Sequence, residues 1–151
     1  MKNILLIIAL TLCFNSVNAQ VGIGTADPKS TLDINGNLSV KVVSLNGGPS
    51  GSATPIDDGV YINLTPTVFN EEFILPDATA VPGRIYVLRN IADSIQADIY
   101  TFGAGVEFFA GDSTSGTNVV NMTTAVGGGN ANKTLIFISD GSNWTYGKLG
   151  F

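Results

Sequence analysis

Short apolar runs separated by turn residues recur about every ten residues along most of this chain, and they restrict it to a β fold. No segment after residue 19 shows the sustained 3.6-residue apolar period of an amphipathic helix. β-Branched and aromatic residues fill the runs, and glycine, proline and asparagine lie between them. The pattern predicts one strand within residues 37–46 and eight strands after it: Gly59–Leu64, Val68–Leu75, Arg84–Ile91, Ile95–Phe102, Val106–Ala110, Val119–Thr123, Thr134–Ser139 and Asn143–Lys148. The predicted fold class is therefore all-β, with these eight strands in a sandwich or a jelly-roll-like barrel.

Residues 21–36 carry their apolar side chains singly or in pairs between glycine, proline and asparagine. Such a segment can neither form a helix nor bury a core of its own, so it must lie against the rest of the chain or against a copy of itself. We therefore predict a β-stalk segment at residues 20–46 and a β-knob domain at residues 56–151. The glycine, serine and proline of residues 47–55 predict a flexible linker between them.

The N-terminus has the pattern of a secretory signal peptide at residues 1–19. Lys2 supplies the positive charge, Ile4–Cys13 is an apolar run of about ten residues, and Val17–Ala19 is a small-residue cleavage site. The apolar run is too short to span a bilayer, so we expect no membrane span once the signal peptide is removed. The predicted location is extracellular or at the cell surface, with the periplasm left open.

The composition excludes several kinds of partner and of chemistry. The chain has 12 acidic and 7 basic residues, a net charge of −5, which disfavours binding to nucleic acid. It has no histidine, and its one cysteine, Cys13, lies in the signal peptide, so Ser-His-Asp and Cys-His pairs and zinc sites with those ligands are excluded. We expect no cofactor and no enzymatic activity. A calcium site at Asp57–Gly59 or Gly111–Gly116 stays open, although aspartates in turns more often bond to their own backbone.

Aromatic side chains are the candidates for ligand contacts. Tyr100, Phe102 and Trp144 could stack on sugar rings if they are exposed, and so could Tyr61, Tyr86 and Tyr146. Aromatic residues on alternating strands are, however, more often core or subunit contacts. Ser94 and Ser113 follow aspartates in short patterns that resemble the O-glycosylation sites of exported Bacteroidota proteins.

Residues Val21–Pro28, followed by Leu32–Gly36 and Leu38–Val40, resemble the VGIGTxxPxxxLDVxG motif of secreted Bacteroidota surface proteins and phage tail-fibre-like proteins. Ile34 stands where valine is common. The resemblance implies that this segment is a repeat unit of a trimeric β-stalk.

Three further stretches resemble the small C-terminal knob domains of tail fibres: Phe73–Pro76, Pro82–Asn90 and Ile138–Trp144. Taken together, the residues and the resemblance predict an exported, non-enzymatic structural or adhesive protein. It would be a homotrimer whose multivalent knob contacts a surface glycan or a protein receptor. The alternative hypothesis is a monomeric carbohydrate-binding module. A weaker third hypothesis is a glycan-active enzyme that uses carboxylates alone.

Overall fold

The computed structural model describes residues 20–123 and 131–148, and these residues form β-strands joined by turns. The strands are β1 (Val21–Ile23), β2 (Leu32–Ile34), β3 (Val42–Leu45), β4 (Thr54–Pro55), β5 (Tyr61–Leu64), β6 (Glu72–Leu75), β7 (Ile85–Asn90), β8 (Ala97–Thr101), β9 (Phe108–Ala110), β10 (Gly116–Thr117), β11 (Val119–Met122), β12 (Thr134–Ser139) and β13 (Trp144–Lys148). Two short 3-10 turns, Ala78–Ala80 and Ala131–Lys133, accompany them. The all-β prediction is confirmed, and the predicted signal peptide lies outside the described residues.

The chain divides into two compact units, one that ends at Ser39 and one that begins at Val40. We call them the N-terminal unit and the β-domain. In the described part of the chain, no helix is long and apolar enough to cross a membrane.

In the N-terminal unit, β1 and β2 pair in parallel, with Val21 beside Leu32 and Ile23 beside Ile34. The Val21 N–H donates to the Thr31 carbonyl at 2.8 Å, and the Asn35 N–H donates to the Ile23 carbonyl at 2.9 Å. Gly24 has a φ of +73°, and a Cβ there would lie 2.9 Å from the Asn35 carbonyl oxygen. The glycine is therefore needed both for the left-handed turn and for the close approach of the two strands.

The β-domain is a sandwich of a seven-stranded and a four-stranded sheet. The strand orders are β10-β9-β13-β12-β7-β5-β3 and β11-β8-β6-β4. From β3 to β8 the chain passes alternately from one sheet to the other, so that β3, β5 and β7 are parallel neighbours and so are β4, β6 and β8. In this half of the domain the chain therefore winds as a coil, in which each turn places one strand in each sheet parallel to the strand of the previous turn. A jelly roll is built from antiparallel strands, so that finer expectation differs from the observed pairing.

The second half of the β-domain is mostly antiparallel and closes the coil. β12 pairs antiparallel with both β7 and β13, and β11 pairs antiparallel with β8. The larger sheet continues past β12 through β13, β9 and β10, whereas the smaller sheet ends at β11. The larger sheet thus has three more strands than the smaller one, and Trp144 on β13 and Phe108 on β9 are still fully buried.

A single hydrophobic core fills the space between the two sheets. Alternate residues point inward along each strand, as the burial of Ile62 and Leu64 on β5 illustrates. The largest fully buried side chains are Trp144, Tyr86, Phe73, Phe108, Phe137, Ile56, Ile62, Leu64, Leu75, Leu88, Ile99 and Met122. Asn90 and Ser139 are the buried polar residues of this core region, and both side chains are hydrogen-bonded.

The boundary between the units differs from the predicted one at residues 46 and 47. β3 belongs to the β-domain, because Val42–Leu45 pairs with Tyr61–Leu64. The predicted linker, residues 47–55, is ordered as the turn of the first coil. Gly48 and Glu72 exchange two backbone hydrogen bonds of 3.0 and 2.8 Å, and Thr54–Pro55 is a strand. The glycine content of this turn reflects a close backbone approach, since a Cβ on Gly48 would lie 1.9 Å from the Ser52 carbonyl oxygen.

Candidate functional site

The N-terminal unit presents an apolar face that nothing within the unit buries. Because paired residues of parallel strands point to the same side, Val21 and Ile23 of β1 lie on one face with Leu32 and Ile34 of β2. The exposed fractions of Val21, Ile23 and Leu32 are 53%, 54% and 56%. None of residues 20–39 is buried. A protein rarely leaves so high a share of a segment's large apolar side chains in water without a contact partner.

Polar groups of the connecting loop hold the two strands of this unit in register. The Lys29 N–H donates to an Asp33 carboxylate oxygen at 2.7 Å, and the Asn35 side-chain amide donates to the Gly24 carbonyl at 3.3 Å. Lys29 also forms an ion pair with Asp27. These contacts arrange the backbone without covering the apolar face, so the face is formed and remains exposed.

The outer face of the four-stranded sheet carries two of the predicted aromatic residues. Tyr100 is half-buried between Ile74 and Val119, its partners on the neighbouring strands. Phe102, just beyond the end of β8, is 61% exposed. One oxygen of the Asp98 carboxylate accepts hydrogen bonds from the amides of Gln96 and Asn121, each at 2.7 Å.

Burial, together with the carboxylates of Glu72 and Asp98, raises the pKa of Tyr100 above its ordinary value of 10.0. Below pH 10 the phenol is protonated in both the folded and the unfolded chain. Above it the unfolded chain ionises first, so the contribution of Tyr100 to stability is full below pH 10 and is lost as the pH rises through the raised pKa.

Replacing Tyr100 with phenylalanine is expected to remove one phenol that ionises later than a free tyrosine. The measurement is the difference between the phenolate absorbance titrations of the wild type and Tyr100→Phe. Glu72→Gln, with Tyr100 in place, is expected to shift the Tyr100 titration towards lower pH, because one of the two nearby carboxylates is removed. A difference curve centred at the ordinary tyrosine pKa would contradict this account of Tyr100.

Trp144 lies in the core and not on the surface. Its exposed fraction is 0%, and its indole N–H donates to the Pro76 carbonyl at 3.0 Å. Its ring packs against Tyr86 with 5.8 Å between the centroids. The prediction that Trp144 could stack on a sugar is therefore wrong, because no face of the ring reaches a ligand.

A cleft of about 590 Å³ lies where the larger sheet extends past β11. Its wall includes the apolar residues Val119 and Leu135 and the ring of Tyr146; its polar lining includes Asp112, Asn121 and Lys148. Tyr146 is one of the aromatic residues that the sequence offered for stacking, but alternation could not separate it from Trp144, because both lie on the same face of β13. The two residues differ in what lies over them, because the Trp144 indole is bonded to the Pro76 carbonyl whereas Tyr146 borders the cleft.

Ser94 and Ser113 are both exposed. Ser94 lies beside a smaller cavity of about 240 Å³ that is also lined by Phe69 and Asn70. Phe69 is 78% exposed and Asn70 has a φ of +63°. Sequence reasoning missed Phe69, which it placed within the predicted strand Val68–Leu75. The Ser113 hydroxyl accepts a hydrogen bond from the Ser115 N–H at 3.1 Å, as in a local turn.

The turn at Asp57–Gly59 is occupied by structural contacts. One oxygen of Asp58 forms an ion pair with Lys41, and the other accepts the Gly59 N–H at 2.7 Å. Lys41 and this backbone bond hold the pKa of Asp58 below its usual 3.8. Across residues 20–123 and 131–148, no three acidic, histidine or cysteine side chains are grouped so that they could hold a metal ion.

Comparison of the chain with protein-family models, curated proteins and solved structures gives no match.

Proposed function

We propose that this chain is an exported, non-enzymatic structural or adhesive protein that associates through its N-terminal unit and displays the β-domain as a multivalent knob. The observation that carries the proposal is the exposed apolar face of Val21, Ile23, Leu32 and Ile34. An all-β domain with a well-filled core has no need of such an appendage for its own stability. Association of copies would bury the apolar side chains of the N-terminal unit, which are exposed in the single chain.

The free energy that the apolar faces gain on burial increases with the number of copies in contact. Burying a fully exposed valine, leucine or isoleucine contributes about 1.5–3 kcal/mol, and the side chains here are already about half covered. Each side chain therefore gains about 0.75–1.5 kcal/mol, and the eight side chains of one pair of faces gain about 6–12 kcal/mol, which is comparable with the cost of association, about 4–15 kcal/mol. A closed ring in which each copy contacts two others gains more. The number three comes from the resemblance of Val21–Val40 to trimeric β-stalks.

Composition supports a role without catalysis. The chain lacks histidine, and its one cysteine precedes the expected cleavage site. Glu71 and Glu72 are poorly placed to flank one glycosidic bond, because neighbours on an extended chain point to opposite sides. In the Asp57-Asp58 pair, the Asp58 carboxylate is already held by Lys41 and the Gly59 N–H. The signal-peptide pattern of residues 1–19 supports export, to the cell surface, the extracellular medium or the periplasm.

Light scattering coupled to size exclusion, on the chain from Gln20 onward at micromolar concentration, is expected to give the mass of a trimer. The double variant Ile23→Asp/Leu32→Asp is expected to give a monomer, because association would bury two unpaired carboxylates per copy. The matched control is Val68→Asp/Phe69→Asp, which charges two exposed apolar residues of the β-domain and is expected to remain trimeric.

A monomeric wild type would refute the proposed association and favour the alternative, a monomeric carbohydrate-binding module. Loss of the trimer in the β-domain control as well as in the N-terminal variant would place the subunit contacts outside the N-terminal unit and would also refute the proposal. Circular dichroism of each variant checks that the β-domain is still folded.

A further inference from the structure

We propose that the cleft between the two sheets binds one ring of a neutral saccharide, with Tyr146 as the residue on which the ring stacks. This inference rests on the proposed adhesive function and names the class of ligand that the knob would take. It assigns recognition to the edge of the sandwich and not to the outer-face residues Tyr100 and Phe102.

The sheet topology forms the cleft. β11 is the last strand of the smaller sheet, whereas β13, β9 and β10 continue the larger one beyond it. The cleft lies at this step, with Val119 and Asn121 of β11 on one side and Tyr146 and Lys148 of β13 on the other. Its volume of about 590 Å³ falls within the range of about 300–1,000 Å³ that small-molecule sites occupy.

The Tyr146 ring is held in place from behind. It stacks on Phe137 with 5.7 Å between the centroids and 21° between the planes, and it meets Phe108 edge-on at 6.3 Å. Phe137 and Phe108 are both fully buried. A ring supported in this way loses little side-chain freedom when a ligand covers its remaining face, which keeps the entropic cost of binding low.

The polar groups of the cleft suit a ligand with many hydroxyls and no net charge. Asp112 offers acceptors and Lys148 offers donors, and neither forms a salt bridge within residues 20–123 and 131–148. The Asn121 amide nitrogen donates to Asp98 at 2.7 Å, which fixes the orientation of the carboxamide. A hydroxyl group both donates and accepts hydrogen bonds, so a ligand rich in hydroxyls can bond to the Asp112 carboxylate and to the Lys148 ammonium group. The charges of Asp112 and Lys148 sum to zero, which suits a neutral ligand.

Apolar residues complete the fit to a pyranose ring. Val119 and Leu135 border the same space as Tyr146. A pyranose has C–H groups on its faces and hydroxyls at its edge, so it matches a site with an aromatic floor, apolar flanks and polar groups at the rim. A fully charged ligand would leave either Asp112 or Lys148 beside a like charge.

The test is a titration of the purified ¹⁵N-labelled protein with the methyl glycosides of glucose, galactose, mannose and N-acetylglucosamine at millimolar concentrations, followed by amide chemical shifts. The expected result is saturable shifts at 119–121 and 146–148 with at least one glycoside. Tyr146→Phe is expected to keep the affinity within about threefold, because the ring is retained. Asp112→Ala, in an exposed loop, is expected to weaken it about tenfold by loss of a charge-assisted hydrogen bond.

Phe102→Ala is the matched control, because Phe102 is exposed and does not line the cleft, and it is expected to leave the glycoside affinity unchanged. Glucuronate and glucosamine are titrated in parallel as charged probes. Saturable shifts centred on Tyr100 and Phe102, binding only of these charged probes, or no shift with any probe would each overturn the proposal. Light scattering on the same samples separates this test from that of the stalk. A trimer that binds no glycoside refutes the cleft alone, and a monomer that binds one through Tyr146 refutes the stalk alone.

Discussion

Replacing Trp144 with alanine is expected to lower the free energy of unfolding of the β-domain by about 3–5 kcal/mol. The side chain is fully buried, its indole N–H donates to Pro76, and its ring contacts Tyr86. The alanine variant loses the transfer energy of the ring, opens a cavity and leaves the Pro76 carbonyl without this donor. Trp144→Phe, which keeps a ring but not the donor, is expected to lose about 1–3 kcal/mol. Urea unfolding followed by circular dichroism measures both changes.

The matched control for Trp144 is Phe102→Ala. Phe102 is also aromatic but is 61% exposed, so its removal is expected to change the unfolding free energy by less than about 0.5 kcal/mol. Trp144 is the only tryptophan of the chain, so the wild-type fluorescence reports on it directly and is expected to show the blue-shifted emission of a buried indole. Equal losses for Trp144→Ala and Phe102→Ala would mean that Trp144 lies outside the core.

Alternation along the chain predicted where most of the strands lie and, for residues 95–102, which side chains share a face. All eight strands expected after residue 58 are present, and Thr134–Ser139 has the predicted bounds. On β8 the face with Ala97 and Ile99 is buried, as its period-2 pattern indicates. This information is local, because each strand's own residues decide which side of it is apolar.

Strand partners could not be predicted in the same way. β3 and β5 pair in parallel although residues 46–60, which include the strand β4, separate them in sequence. The sequence pattern of an apolar strand is the same whether its neighbour is parallel or antiparallel. The parallel pairing within β3 to β8 could therefore not be predicted from the sequence. β4 was missed because it is two residues long and contains Pro55, which tolerates only an edge position.

The candidate sites depend on this same long-range information. Trp144 and Tyr146 are two residues apart on β13 and share one face, but the first is buried and the second borders a cleft. The difference arises from the segments that lie over each position, and these are distant in sequence, as the bond from Trp144 to Pro76 illustrates. The apolar face of the N-terminal unit was easier to anticipate, because a segment with so few apolar residues cannot cover them by itself.

Asn90→Asp is expected to destabilise the β-domain by about 3–5 kcal/mol at neutral pH, although it changes a single side-chain group. Asn90 is buried at the end of β7. Its amide nitrogen donates to the carbonyls of Ile95 at 2.9 Å and Met122 at 3.0 Å, and its oxygen accepts the Ala92 N–H at 3.0 Å. These bonds tie β7 to the loop before β8 and to the end of β11. A carboxylate would replace both donors with acceptors facing two carbonyl oxygens.

The pH dependence of Asn90→Asp tests that explanation directly. Burial and the carbonyls of Ile95 and Met122 would raise the pKa of an aspartate at this position above the unfolded value of about 4. The loss of stability relative to wild type is then smallest below about pH 4, where both states are protonated, and grows as the pH rises to the folded-state pKa. Asn63→Asp, on the outward side of β5, is the control and should show little of this dependence. If the two variants lose equal stability with the same pH profile, Asn90 does not carry the connection between the two sheets that its three hydrogen bonds imply.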